Sequence, residues 1–536
     1  MAYVKYELTL GNLLHSAVKR NPNQIIVDPE KGSYRFSDFE SRVNSLARAL
    51  VEIGVKPKDR VAVLDWDTRQ YLESFYAIPM TGAILHTVNI RYPVELIYYT
   101  IQHAEDSYVI IRDEIARMFI NYKDLFGFVK GWIIYSSSEN RIDFPFSNVY
   151  YYDDLINGNS NASLPAIVEE DTATLFYTSG STGMPKGVSF SHRDLILHAY
   201  GLIATLSDEP ASISSRDILM PLVPMFHVHA WGLPQAFLIK GCKYVLAGRY
   251  NPSQELWLIK EHGVTLSAMV PSILYMLINE RGASEVFPAI NFRAIIGGGA
   301  LSRGLFEAAG KLNIKTMGAY GMSETAPLLT ASVYNFDTMS LPDDDRVEYQ
   351  IKAGLPASLV EVRIVDKNGK EIPKGVEKIG EITVRAPWLT HEYYKDPEST
   401  KKLWQEGWLH TGDLGYVDNM GYLTIVDREK DSVKSGGEFI PTLILENIIS
   451  LYGKIGEVAV IGKKDDKWGE RPIALYTSKE SINPEDIKEF LQKFVEQRKI
   501  EKFWIPDEFI RVEQFDKGST GKIDKKALRK KFSNEN

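Results

Sequence analysis

The chain has 536 residues, 44% of them hydrophobic and 25% charged, and 62 Lys and Arg against 70 Asp and Glu leave a formal charge of −8. That length exceeds one ordinary core and suggests roughly two to four domains of a soluble globular protein. The mildly acidic balance offers no basic footprint for nucleic acid or an anionic membrane.

Cys242 is the single cysteine, so neither an internal disulfide framework nor a multi-thiolate metal site is available. No run approaches the roughly 20 apolar residues that span a bilayer. Residues 1–21 lack the apolar stretch and small-residue cleavage site of a secretory signal. A cytosolic protein is expected, in which the sequon Asn161-Ala162-Ser163 has no meaning. Oligomeric state is not fixed by the sequence, a homodimer being one option.

In chain order, Ser37 followed by Glu40 reads as a capping box, and Phe39, Val43, Leu46, Ala47 and Leu50 continue at helical spacing. Gly54 ends that helix and the apolar strand 60–65 follows. The same helix-to-strand rhythm returns at 256–262 and 264–269, with a further helix at 304–312, which argues for α/β layers with largely parallel sheets. The polar stretches 153–163 and 341–345 read as loops. After about residue 350 the texture becomes β-rich, with runs at 360–365, 380–384 and 421–426. A last block from about Lys430 carries strands at 457–462 and 472–477 and helices at 484–497 and 525–531, the first capped by Asn483 with Pro484 in its first turn. The fold class is therefore α/β. A large N-terminal domain of layered α/β sheets plus a β-rich subdomain is expected over residues 1–429, and a small α+β C-terminal domain over 430–536.

The most informative segment runs from Tyr177 to Gly187. It packs the hydroxyls of Thr178, Ser179, Ser181 and Thr182, the glycines Gly180, Gly183 and Gly187, and Lys186 into one loop after the strand-like run 172–177. Glycines let the backbone approach phosphate oxygens, successive N–H groups form an anion nest, and Lys186 adds a compact positive charge. A P-loop NTPase needs Gly-Lys-Ser/Thr opening a helix. Here Lys186 lies between Pro185 and Gly187, a strand-like run follows, and the next helix opens at Ser191 with Asp194 as its capping partner. A P-loop phosphotransferase is thereby disfavoured.

This loop resembles the signature of the adenylate-forming superfamily, which includes acyl-CoA synthetases, aryl-CoA ligases, luciferases and peptide-synthetase adenylation domains. Four further stretches match in order: Gly297-Gly298-Gly299-Ala300, Ala319 to Thr325, Thr411-Gly412-Asp413, and Asp427-Arg428 through Ile440. A terminal Thr520-Gly521-Lys522-Ile523 completes the set. The resemblance covers essentially the whole chain and is nearest to medium- and long-chain fatty acyl-CoA synthetases. It implies ATP, Mg²⁺ and coenzyme A as cofactor and co-substrates, and an acyl-adenylate as intermediate.

The resemblance assigns Gly298, Gly299, Ala300, Tyr320 and Gly321 to adenine, and Ser323, in place of the usual Thr, keeps a hydroxyl beside them. Glu324 and Thr178 would bind Mg²⁺ with phosphate oxygens and water. Asp413 would accept from the ribose hydroxyls and Arg428 would hold the ribose–phosphate region. Carboxylate attack on the α-phosphorus sets anion against anion, so cationic compensation is needed from Mg²⁺ and from Lys522. For thioester formation the small domain would rotate about Lys430 and present Lys434, Gly436 and Gly437 to coenzyme A. One departure stands out: Leu443 and Leu445 occupy the places of two acids usual in the family, and Glu446 comes one place late.

The segment Pro224 to Trp231 resembles the opening of the acyl tunnel. His227 would orient the carboxylate and Trp231 would gate the tunnel. His227 and His229 would share one face of a strand, and no third zinc ligand is in view. Gly297 to Gly299 would leave space beside the acyl carbonyl. The expectation is an acid:CoA ligase for a fatty or other aliphatic acid, with an aryl-CoA or short hydroxyacid-CoA ligase as the alternative. A non-enzymatic sensor would have damaged positions, whereas Lys522, Glu324 and Asp413 are all present. A peptide-synthetase module would need a carrier domain after residue 536.

Overall fold

The computed structural model describes residues 5–136, 144–158, 160–178, 184–376, 378–428, 432–436, 438–497, 499–518 and 522–532. Among them, four sheets carry the architecture. The first has eight strands, in the order Tyr393–Tyr394, Lys186–Ser191, Thr172–Thr178, Ile84–Thr87, Arg60–Leu64, Asp106–Arg112, Gly131–Tyr135 and Val149–Tyr151. Its core is parallel, and the Lys186–Ser191 and Tyr393–Tyr394 strands join antiparallel at one edge. Runs such as Val61–Leu64 and Val109–Ile111 are buried on both faces, which is why they are continuously apolar and not alternating.

The second sheet has nine strands. Its parallel heart includes Leu266–Met269, Arg293–Ile296 and Lys315–Gly321. The third sheet is antiparallel, built on Glu361–Val365, Gly380–Arg385, Trp408–Val417 and Leu423–Arg428. The fourth is formed by the C-terminal segment, with Val458–Asp465 antiparallel to Gly469–Tyr476 and Glu508–Arg511 parallel to it. It has its own core of Val433, Ile440, Leu445, Ile449, Val460 and Leu491. The α/β class, the β-rich subdomain and a separate C-terminal unit are thus all present.

Three local expectations need correction. The helix expected to start at Ser37 is Phe36–Glu52; Phe36 is fully buried, and the Arg35 N–H donates to Asp38 Oδ2 at 3.0 Å. Glu40 instead pairs with His15 at 2.9 Å. The stretch 153–163 begins inside a helix, Tyr152–Asn157, because Tyr152 and Ile156 are buried and the Tyr152 hydroxyl donates to Glu73 at 2.7 Å. The acidic stretch 341–345 opens the helix Asp343–Gln350. Three carboxylates in a first turn face the positive end of the helix dipole, a placement that favours helix over loop.

Glu73 is the main ionic tie within the first helical layer. It lies on the helix Arg69–Met80, is fully buried, and takes a bidentate pair from Arg42 at 2.6 and 3.2 Å along with the Tyr152 hydroxyl. Glu73→Ala leaves that guanidinium and hydroxyl without their acceptor, and a loss of about 3 kcal/mol or more is expected. Thermal denaturation of the variant should show a clearly lowered first transition; an unchanged one would contradict this account of the layer.

Candidate active site

A cavity of about 410 Å³ opens beyond the carboxyl ends of the parallel strands Leu266–Met269, Arg293–Ile296 and Lys315–Gly321. That is where open α/β sheets place their ligands. Thr178 and Lys186 reach it from the first sheet, Asp413 and Arg428 from the third, and Lys522 from the C-terminal segment.

Part of its lining is a polar cluster. The Tyr320 hydroxyl donates to Asp413 Oδ2 at 2.7 Å, and Arg428 Nε lies 3.1 Å from Asp413 Oδ1. Asp413 and Arg428 face each other across paired strands, in register. Thr411 Oγ1 donates to the Ile382 carbonyl and accepts the Asp413 N–H at 3.1 Å, so the hydroxyl two residues upstream fixes the carboxylate's backbone. Arg428 itself is exposed, which leaves its guanidinium within reach of a bound anion.

Glu324 stands on a short 3-10 turn, Ser323–Thr325, and is buried. Its Oε1 accepts from the Tyr393 hydroxyl at 2.5 Å. Burial raises the Glu324 carboxyl above the ordinary range, opposed by this hydrogen bond. Lys186 donates to Ser399 Oγ at 2.6 Å and lies over the Tyr393 ring.

Lys522 accepts the Gly518 N–H on its carbonyl at 2.8 Å. Its side chain runs beside Gly298, whose φ is +73°. A Cβ at residue 298 would lie 3.1 Å from Lys522 Cε and 3.2 Å from Val270 Cγ1. Glycine takes that φ without strain and leaves room for the lysine stem.

His227 and His229 do not share a strand face. Residues 228–231 form a left-handed turn, with φ of 47°, 53°, 46° and 58°, closed by Gly232 at 75°. Val228 in that region is a marked outlier, and such strain of order 1–3 kcal/mol per residue persists only where surrounding packing dictates it. His229 is boxed by the rings of Phe75, Phe176 and Phe190, with centroids 5.1–6.0 Å away. His227 remains on the cavity and its N–H donates to the Pro224 carbonyl. Burial, with Lys522 and Arg91 nearby, pushes its pKa down to about 3, so the ring is neutral at physiological pH. Among the described residues no cluster of three or more His, Cys, Asp or Glu could hold a metal ion.

The same turn carries Trp231 back over residue 297, where a Cβ would come within 2.9 Å of its ring. The space expected at Gly297 is therefore filled by the indole. Leu202, Leu206, Val228, Leu233, Pro327 and Leu328 make up the apolar part of the cavity's lining.

Of the residues expected from sequence, Thr178, Lys186, His227, Trp231, Gly298, Tyr320, Gly321, Ser323, Glu324, Asp413, Arg428 and Lys522 all line this one cavity. Gly299 and Ala300 are exposed beside it. Lys434 and Gly436 are exposed on the C-terminal unit, where the Gly436 N–H donates to the Trp468 carbonyl. Ser179, Gly180, Ser181, Thr182, Gly183, Lys430, Gly437, Thr520 and Gly521 lie outside the described residues. Glu446 accepts the Val460 N–H at 2.7 Å and pairs with Lys525 at 2.6 Å, while Leu445 is fully buried in the C-terminal core. Leucine at 445 suits that burial; nothing in the structure explains the leucine at 443. Sequence reasoning missed Arg91, Tyr393 and Thr411. Arg91 lies over the rings of Phe226 and Tyr250, and only Thr411 fell within a recognised motif.

Residues 14–394 match the AMP-binding enzyme family and residues 445–522 the AMP-binding enzyme C-terminal domain. The chain is 33% identical over 502 residues to a long-chain-fatty-acid–CoA ligase of Thermus thermophilus, covering 93% of this chain and 90% of the relative. It is 32% identical over 539 residues to a medium-chain-fatty-acid–CoA ligase of Ectopseudomonas oleovorans, covering 99% and 97%. ATP-bound MatB from Rhodopseudomonas palustris superposes with a TM-score of 0.84 at 24% identity, over 99% of each chain, which is a likeness of fold. With both parts of the chain matched and near relatives aligned over almost their full length, the protein belongs to the AMP-binding enzyme family, among its AMP-forming acid:CoA ligases.

Proposed function

We propose that the enzyme activates an aliphatic carboxylic acid of medium or long chain as its acyl-adenylate and passes the acyl group to coenzyme A in the cytosol. The observation that carries this reading is one cavity whose lining holds the polar cluster of Tyr320, Asp413, Arg428 and Glu324, the apolar residues Leu202, Leu206 and Leu233, and both Trp231 and Lys522. Tyr320 with Gly298 and Gly299 accommodates adenine, and Asp413 and Arg428 take the ribose and α-phosphate region. Gly299, Ala300 and the loop 178–186 complete the nucleotide site.

Glu324 and Thr178 fit Mg²⁺, a hard cation that keeps water and phosphate oxygens as most of its ligands, so a full protein cage is not required. The bound ion supplies neutralisation of the triphosphate. Lys522 places a further positive charge where carboxylate and α-phosphate approach, offsetting their repulsion. His227, neutral and held by its backbone, orients the carboxylate by hydrogen bonding and adds no charge of its own. The domain division at 429/430 and the hinge at Lys430 belong to the same proposal: once the adenylate forms, rotation withdraws Lys522 and brings Lys434, Gly436 and Gly437 to the thiol. An aryl or short hydroxy acid would use the same machinery with a different apolar lining.

Acid-dependent exchange of pyrophosphate into ATP, scanned from acetate to palmitate, tests the reading; exchange with none of these acids would reject it. Lys522→Ala should reduce acyl-adenylate formation at least about 100-fold while sparing thioester formation from supplied acyl-adenylate. Equal loss of both steps would contradict its assigned place.

Lys430→Pro should have the reverse effect, since proline fixes φ and opposes rotation. Stopped reactions analysed for acyl-adenylate should show it accumulating in this variant; normal turnover would move the hinge elsewhere. Leu206→Trp should lower kcat/KM for the longest accepted acids about tenfold or more by filling the apolar part of the cavity, with short acids little affected. A uniform loss across chain lengths would mean that the acyl chain does not lie against Leu206.

A further inference from the structure

Tyr393 touches two parts of the site at once, and no role given above uses it. Its hydroxyl donates to Glu324 Oε1 at 2.5 Å, while Lys186 Nζ lies 4.8 Å from its ring centroid. Lys186 Nζ is held further by Ser399 Oγ at 2.6 Å and stands 3.9 Å from Asp396 Oδ2. All of these partners come from one short stretch of chain, 393–399.

That stretch is itself fixed at both ends. Tyr393–Tyr394 pairs antiparallel with the strand that begins at Lys186, placing Tyr393 opposite Val188 and Tyr394 opposite Gly187. The approach is close: a Cβ at Gly187 would sit 2.9 Å from Tyr394 Cβ. Thr390 ties the stretch to the other side of the site, its N–H donating to the Glu324 carbonyl and its hydroxyl to the Ser189 carbonyl. Asp396 caps the helix Pro397–Leu403, accepting the Ser399 N–H at 3.0 Å. The edge strand thus spans the strand after the phosphate loop and the turn carrying Glu324, which otherwise belong to different sheets.

We propose that Tyr393 is a positioning residue that sets the spacing between the Glu324 carboxylate and the Lys186 ammonium, so that both engage one metal-bound triphosphate. The inference rests on the reading of Glu324 as the metal carboxylate. A carboxylate free to rotate would have to be ordered each time the ion binds; one held by a partly buried hydroxyl is already ordered. The ring does the second half of the work, since an aromatic face attracts a desolvated ammonium and limits where it can go.

Tyr393→Phe removes the hydroxyl and keeps the ring; Tyr393→Leu removes both. The probe is Mn²⁺ bound to enzyme with a non-hydrolysable ATP analogue, followed by electron paramagnetic resonance, alongside KM values for ATP and for the acid. Tyr393→Phe should weaken Mn²⁺ about tenfold, as for loss of a hydrogen bond to a charged group, with KM for the acid unchanged. Tyr393→Leu should in addition raise KM for ATP severalfold at saturating Mg²⁺. Glu324→Gln is the control. If it weakens Mn²⁺ and Tyr393→Phe does not, the proposal is wrong and the reading of Glu324 stands. If Glu324→Gln leaves Mn²⁺ unchanged, the reading of Glu324 itself fails. A Tyr393→Phe enzyme that loses thermal stability and affinity for both substrates alike would reduce Tyr393 to a packing residue and overturn the proposal.

Discussion

The Lys522 side chain lies in the cavity against Gly298, a residue with no side chain of its own. Gly298 combines a left-handed backbone with contact distances of 3.1 and 3.2 Å to Lys522 and Val270, so any other residue would displace the lysine or strain the chain. The contact joins the C-terminal sheet to the end of a central parallel strand. It is also where charge matters most, because adenylation brings a carboxylate to a triphosphate and needs a cation between them. In the proposed reaction the rest of the cavity serves that meeting: Tyr320, Asp413 and Arg428 fix the nucleotide, and the apolar lining fixes the acid.

The segment 224–232 shows how backbone strain can be used to place side chains. Asp67 Oδ1 accepts the Met225 N–H at 2.8 Å, and the aromatic box around His229 pins the far side of the turn. Residues 228–231, His229 among them, take left-handed conformations. The outcome is that His227 and Trp231 both face the cavity, one near Lys522 and one over Gly297. A regular helix or strand would also set residues 227 and 231 on one face; here a left-handed turn does so, and the packing around His229 is what makes its strain tolerable.

Most of the architecture was legible in the sequence because it depends on patterns that a single chain displays. Continuous apolar runs marked the parallel strands, and Ser191 with Asp194 opened the helix His192–Leu206 as a capping box in the structure. The site residues in recognised motifs were legible for a different reason: resemblance fixed their order, and the fold brought most of those described into one cavity. What stayed hidden depends on tertiary partners. The start of the helix Phe36–Glu52 follows from burial of Phe36, and the Tyr152–Asn157 helix from the tie to Glu73, neither of which local polarity reveals. The left-handed turn at 228–231 is invisible to propensity, since Val, Ala and Trp disfavour that region and one His among them does not offset it. Tyr393 and Arg91 carry no local signal, because their partners lie far away in sequence.

The central claim is that a carboxylate oxygen attacks the α-phosphorus of ATP in this cavity. The most direct measurement uses an acid labelled with ¹⁸O in its carboxyl group, run through a full cycle with coenzyme A, followed by ³¹P NMR of the phosphorus products. One labelled oxygen should appear on the phosphate of AMP, with none in pyrophosphate. Label in orthophosphate beside ADP, or AMP without label, would contradict the account.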